Sequence, residues 1–246
     1  MEREPPSGAD YDPTAEARTE MIAEINAEVA LTSRWLGKES LDPAVIAAMA
    51  HVPRHDFVPP RARAAAYENQ PLSIGYGQTI SQPYMVAVMT DLAAIGPGDR
   101  VLEVGTGCGY QAAVLAELAD RVFSIETVPE LADQAAARLQ GLGYDKIEVH
   151  VGDGSLGWPE EAPFDAIVVT AAAQQRVPQA LVEQLAPGGR LVIPVQRGTS
   201  RLPFFAQPEQ ELLLLTKNMA GKVTQKTVLP VAFVPLVEAP PGGTAD

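Results

Sequence analysis

Two carboxylates and a run of glycines fall where the strands of a parallel sheet would end. Val101–Val104 runs into Gly105-Thr106-Gly107-Cys108-Gly109, which lets the backbone turn sharply and a ligand approach with no Cβ in the way. Glu103 lies just before this loop and Glu126 closes the next apolar run. Gly105 and Glu126 are 21 positions apart, close to the ~20 at which an acid reaches ribose hydroxyls, and a carboxylate can accept from both hydroxyls of a cis-diol. Gly152-Asp153-Gly154 puts a third acid after a third run, on the carboxyl edge where open α/β folds bind ligands. Each acid has a plainer reading. Glu103 could cap or brace the loop, Glu126 could be a surface strand end, and Asp153 could be a turn former. Taken together at three successive strand ends, they favour a ligand. The spacing is G-x-G-x-G rather than G-x-G-x-x-G, which weakens the case for a pyrophosphate. Three acids suit a nucleoside carrying positive charge, such as the sulfonium of S-adenosylmethionine.

A second polar segment precedes the sheet. Gly75-Tyr76-Gly77-Gln78-Thr79-Ile80-Ser81-Gln82-Pro83-Tyr84 feeds a helix expected over Pro83–Leu92. Ser81 is placed to be its N-cap, with Pro83 in the first turn. The hydroxyls of Thr79 and Ser81 could instead receive an anion at the helix N-terminus, and one hydroxyl can serve both ends.

Other chemistries are poorly supplied. His51, His55 and His150 have no metal-ligand spacing, and a single cysteine, Cys108, argues against a zinc site and rules out an internal disulfide. Cys108 among glycines reads as a small space-filler before a nucleophile. Trp35 and Trp158 read first as packing anchors, with Trp158 alternatively lining the crevice.

The elements that position these groups follow from patterning. The 246 residues are 46% hydrophobic and 20% charged, ordinary for a globular chain. The net charge of −13 argues against a general nucleic-acid binder. Much of the excess is local, since residues 1–30 hold eight acids against Arg3 and Arg18. No apolar run approaches the ~20 residues of a membrane span, and the lone cysteine and the acidic start point to the cytoplasm. Met1–Pro13 is expected to be a tail or an added extension. An amphipathic helix is expected over Thr14–Trp35, with Met21, Ile22, Ile25, Val29 and Leu36 near one face. Asp42-Pro43 should start another, Arg61–Tyr67 a short one at best, and Pro71–Thr79 should be a loop. Apolar runs then alternate with helical ones. Strands are expected at Arg100–Val104, Arg121–Glu126, Ile147–Val151, Asp165–Thr170 and Arg190–Val195, with helices at Tyr110–Leu118, Pro129–Leu142 and Pro178–Leu185. This is an α/β, doubly wound parallel sheet, to which Glu211–Thr216 and Thr227–Val234 add an antiparallel hairpin.

The chain resembles the bacterial-type protein-L-isoaspartate (D-aspartate) O-methyltransferases. The likeness is carried by VPRHDFVPP at Val52–Pro60, AYENQPLSIGYGQTISQPYM at Ala66–Met85, VLEVGTGCGYQAAVLA at Val101–Ala116, VGDGSLGWPEEAPFDAIVVTAAA at Val151–Ala173 and VAFVPL at Val231–Leu236. GQTISQPY and GDGSLGWPE are its specific parts, and it runs from about Ile22 to Val237. It implies a Rossmann-like class I methyltransferase with a mostly parallel seven-stranded sheet. The expected layout is an acidic tail over 1–20, one domain over 21–238 and a flexible end over 239–246. Within the domain lie a helical cap (21–95), a cofactor core (96–195) and C-terminal strands (210–237). The implied reaction is methyl esterification, by S-adenosylmethionine and without a metal, of the free α-carboxylate of L-isoaspartyl residues in damaged proteins and peptides. S-adenosylhomocysteine is the other product. By motif, Ser81 corresponds to the active-site serine. Thr79, Ile80, Glu103, Gly105, Thr106, Gly107, Glu126, Asp153 and Gly154 fall to the cofactor. A monomer that binds neither nucleic acid nor membrane is expected.

Departures are small: Cys108 stands where many relatives have serine, Val237 follows VPL where some have a hydroxyl residue, and Gln196–Gln210 reads as insert-like. Three rival readings remain at this point. They are a class I methyltransferase acting on another carboxylate, a non-catalytic adaptor for isoaspartyl sites, and, more weakly, a NAD-dependent dehydrogenase.

Overall fold

The computed structural model describes residues 14–199 and 208–237. The expected tail at Met1–Pro13, the middle of Gln196–Gln210 and the expected flexible end lie outside the described residues. Helix α1 (Ala15–Leu36) begins inside the stretch 1–20 expected to be tail, and buries Met21, Ile25, Val29 and Leu36 along one stripe. In α2 (Pro43–His51), Asp42 accepts from the N–H of Ala44 at 2.8 Å and Pro43 occupies the first turn, as the sequence predicts. The stretch Pro60–Ala65 is a single 3₁₀ segment.

Pro71–Thr79 departs from the expected loop. It forms a hairpin of β1 (Leu72–Gly75) and β2 (Gln78–Ile80) in antiparallel register, Leu72 opposite Ile80. Glycines at both ends of the turn take the positive φ it needs. These glycines made the segment read as coil, while its apolar positions are too few to show period-two alternation.

The expected core elements are present: α3 (Pro83–Ala93), β3 (Arg100–Val104), α4 (Tyr110–Ala116), β4 (Arg121–Glu126), α5 (Pro129–Gly141), β5 (Ile147–Val151), β6 (Phe164–Val169), α6 (Gln179–Gln184), β8 (Leu185–Thr199), β9 (Pro208–Lys217) and β10 (Val223–Val231), and a short strand that the sequence did not predict, β7 (Ala173–Gln174), precedes α6. The sheet order is β10-β9-β8-β6-β3-β4-β5, with β7 paired to β8 off this path. It therefore has eight strands where seven were expected, the extra one too short for a periodic signal. Strands β5, β4, β3, β6 and β8 are parallel; β9 and β10 are antiparallel. Side chains alternate between the two covered faces. Val101, Val122, Ala166, Val168 and Val192 pack under α1–α4. Leu102, Phe123, Ile125, Ile167 and Leu191 pack on the other side. The chain runs outward from β3 to β5 and returns to β6 beside β3. The resulting switch point lies at the carboxyl ends of β3 and β6, where open α/β sheets receive ligands.

Candidate functional site

Two cavities meet at that switch point. The first is walled by the hairpin and glycine loop, including Thr79, Ile80, Ser81, Gly105, Thr106, Gly107 and Glu126, with Gly154, Thr170 and Val234–Val237 opposite. The second is a groove of about 740 Å³ between α1 and the end of β10, lined by Glu28, Thr32, Trp35, Pro71, Tyr84 and Leu229–Val234. Thr79, Ser81, Thr170 and Val234 border both.

The glycine loop is held from below. Gly105 has φ +96°, and a Cβ there would lie 2.4 Å from the Thr170 hydroxyl oxygen. That hydroxyl donates to the carbonyls of Gly105 (2.7 Å) and Val104 (3.1 Å), tying the ends of β3 and β6. Across the cavity, a Cβ on Gly154 would come 2.3 Å from Val104 Cγ1. Both glycines are therefore required by close approach.

Glu126 is only 5% exposed, not a surface strand end, and its carboxylate faces the cavity. One oxygen accepts from Gly107 N–H at 2.8 Å and the other from Val128 N–H at 3.0 Å. Each oxygen keeps lone pairs for a diol. Glu103, by contrast, does not line either cavity. It is fully buried beneath the loop, where Ser124 donates to one oxygen and Ser124 also bonds Thr106 at 2.6 Å. Its other oxygen has no hydrogen-bond partner among the described residues. The structure places it as a loop brace. Burial pushes the Glu103 carboxyl up to about 8, opposed by the Ser124 hydrogen bond. An acid whose folded pKa is raised binds more protons folded than unfolded, so folding weakens as pH rises from about 4.5 to about 8. Glu103→Gln should remove that slope. Thermal midpoints of the parent should drop relative to the variant between about pH 4.5 and about pH 8, and parallel curves would contradict the assignment.

Asp153 also lines neither cavity, and it accepts from Ser155 N–H at 2.8 Å to cap the short turn Gly154–Leu156. Only its neighbour Gly154 lines the cavity. The N-cap expected at Ser81 is corrected. Gln82 holds that position without a side-chain cap, and Asn69 instead accepts from Tyr84 N–H at 3.0 Å in the first turn. Freed from capping, Ser81 borders both cavities. Among the described residues its hydroxyl and the backbone N–H groups of Ser81 and Gln82 have no hydrogen-bond acceptor. Three donors at a helix N-terminus make an anion site.

Cys108 lines the first cavity, but burial pushes its thiol up, which suppresses the thiolate a nucleophile needs. Trp158 packs edge-on to Phe123, ring centroids 5.6 Å apart, and borders neither cavity. Trp35 is no anchor; it is 38% exposed on the groove wall. Among the described residues no group of three His, Cys, Asp or Glu could hold a metal, and no helix is long and apolar enough to cross a membrane. Sequence reasoning missed Thr170, Gln78, Thr127, Glu28 and Arg54. Thr170 follows an apolar strand with no motif of its own. Arg54 lies in VPRHDFVPP, and nothing local betrays that it is fully buried with its guanidinium on Ser81.

The family described as protein-L-isoaspartate(D-aspartate) O-methyltransferase (PCMT) matches residues 34–240. The chain belongs to this family. It is 56% identical over 229 residues to protein-L-isoaspartate O-methyltransferase 2 of Syntrophobacter fumaroxidans, covering 93% of this chain and 89% of that one. The protein of the same name from Nitrosococcus oceani is 53% identical over 88% of this chain and 94% of its own. A solved protein-L-isoaspartate O-methyltransferase superposes with TM-score 0.70 at 25% identity, covering 89% of this chain and 65% of that one. A Plasmodium falciparum structure, titled a putative protein-L-isoaspartate O-methyltransferase in complex with S-adenosyl-L-homocysteine, superposes with TM-score 0.71 at 24% identity over 90% of this chain and 99% of its own. These likenesses agree with the Rossmann-like sheet, its antiparallel edge and the N-terminal helices.

Proposed function

We propose that this chain transfers a methyl group from S-adenosylmethionine to the free α-carboxylate of L-isoaspartyl residues in damaged proteins and peptides. The observation that carries this reading is the meeting of two cavities at Ser81, with three donors at the junction that have no acceptor among the described residues. The wall of the first cavity fits the cofactor. Glu126 would accept from ribose hydroxyls, the bare backbone of Gly105 and Gly107 would admit the nucleoside, and Thr79, Ile80, Thr106 and Gly154 would close around it. Asp153 would act through the turn that places Gly154, and Glu103 through the loop it braces. When bound, S-adenosylmethionine supplies an electrophilic methyl group, and no metal is required.

The protein's own task is placement. A carboxylate is ionised at neutral pH and already nucleophilic, so no general base is needed. Ser81 Oγ–H and the N–H groups of Ser81 and Gln82 would hold one carboxylate oxygen and leave the other facing the first cavity. Fixing that approach and excluding water can contribute ~7–11 kcal/mol. The groove suits an extended peptide. Its wall is the chain past β10, where Ala232 makes no backbone hydrogen bond among the described residues, so backbone pairing can supply affinity without side-chain identity. A small-molecule carboxylate would leave this groove unused, and the adaptor and dehydrogenase readings have no support in the family match. A cytoplasmic monomer acting on exposed chain segments completes the reading.

Ser81→Ala should lower kcat/KM for an isoaspartyl peptide by ~10- to 100-fold, the value of one hydrogen bond to a charged group. Cofactor affinity should change little. Equal turnover by variant and parent would remove the role of the hydroxyl.

A further inference from the structure

Arg54 is fully buried, yet it has no carboxylate partner among the described residues. Its Nε donates to the carbonyl of Ala66 at 2.7 Å and one Nη to the carbonyl of Ser81 at 2.8 Å. The other Nη is buried with no hydrogen-bond partner. The guanidinium carbon stands 4.7 Å from the ring centroid of Tyr110, itself a wall of the first cavity. Burial pulls the guanidinium below its usual value, opposed chiefly by Tyr110, but an arginine stays charged in a protein.

An unpaired buried cation is costly, and two carbonyls could be bridged as well by a neutral donor. The walls of the two cavities sharpen the point. They contain no Lys, Arg or His, while Glu28 and Glu126 are both acidic, in a chain of net charge −13. A substrate carboxylate entering this junction meets Glu28 and Glu126 on the walls, and the Arg54 charge lies a single peptide group behind Ser81. Holding the Ser81 carbonyl also orients the Ser81–Gln82 peptide, whose N–H points away from that carbonyl because the peptide unit is planar and trans.

We propose that Arg54 is a positioning residue for the substrate: it fixes the Ser81–Gln82 peptide and supplies the countercharge that draws the carboxylate to it. The inference rests on Ser81 receiving that carboxylate. Arg54 is not placed in contact with the substrate; it acts through the peptide it holds and through its field.

The test separates charge from structure. Full-length protein loaded with S-adenosylhomocysteine is titrated by calorimetry with an isoaspartyl peptide and with the same peptide carrying a carboxamide in place of the free α-carboxylate. The parent is expected to prefer the carboxylate. Arg54→Met should weaken the carboxylate peptide by on the order of 10- to 100-fold and leave the carboxamide peptide within about twofold. Arg54→Lys, which keeps the charge and loses the fork, should retain most of the preference, and it serves alone if the methionine variant does not fold. Equal weakening of both peptides would reduce Arg54 to a structural brace and overturn the proposal, as would loss of preference in Arg54→Lys or its absence in the parent. Methyl transfer by the parent to the same isoaspartyl peptide reports on the proposed function independently.

Discussion

Glu126→Ala should weaken S-adenosylmethionine binding by more than 100-fold, measured by calorimetry, with a matching rise in the cofactor's KM. The carboxylate does two things at once. It accepts from Gly107 N–H at 2.8 Å and Val128 N–H at 3.0 Å, fixing the loop against the start of α5, and it faces the cavity where the ribose would lie. Hydrogen bonds to a charged group contribute ~1.5–3 kcal/mol each. Losing two inside the protein and those to the diol leaves buried donors unpaired and the sugar unanchored. Glu126→Gln should be milder, since an amide oxygen still accepts from one N–H while its NH₂ faces the other. An alanine variant that binds cofactor as the parent does would show that Glu126 is only a loop brace.

Gly105→Ala should lower stability by ~2–4 kcal/mol, combining the strain of a positive φ with overpacking. In a chain of this size that is a fall of roughly 4–16 °C in the thermal midpoint. The new Cβ would lie 2.4 Å from the Thr170 hydroxyl oxygen. Relieving that contact must break the bonds Thr170 makes to Val104 and Gly105, which close the switch point. Cofactor binding should therefore fall together with stability. Gly98→Ala is the control, since nothing lies within 4 Å of its Cβ position, and it should be nearly neutral. Equal midpoints for the two variants would refute the close packing inferred at Gly105.

How far the sequence reveals this architecture depends on the scale of each signal. Strands β3, β4 and β6 are buried on both faces, so their Val- and Ile-rich runs were legible without alternation. The antiparallel pairing of β9 and β10 was legible too, and Asn218 closes the turn between them by accepting from Ala220 and Lys222 N–H groups. The β1–β2 hairpin was not, because its order comes from packing: Ile74 reaches to within 3.3 Å of the Cβ position of Gly107. The same limit governs the site. Glu126 was found from strand-end position and spacing, and it lines the cavity. Glu103 and Asp153 satisfy the same pattern, but the pleat turns Glu103 beneath the loop and a local cap engages Asp153. Spacing fixes which strand end an acid occupies and not which way its side chain turns. Arg54 and Thr170 act across 27 and 65 positions of sequence, contacts that only tertiary structure creates.

The most direct measurement is methyl transfer from labelled S-adenosylmethionine to matched isoaspartyl and aspartyl peptides. The account predicts base-labile label on the isoaspartyl peptide alone, which identifies the reaction, the ester bond and the substrate together. Label on both peptides, or on neither while cofactor binding is intact, would contradict it.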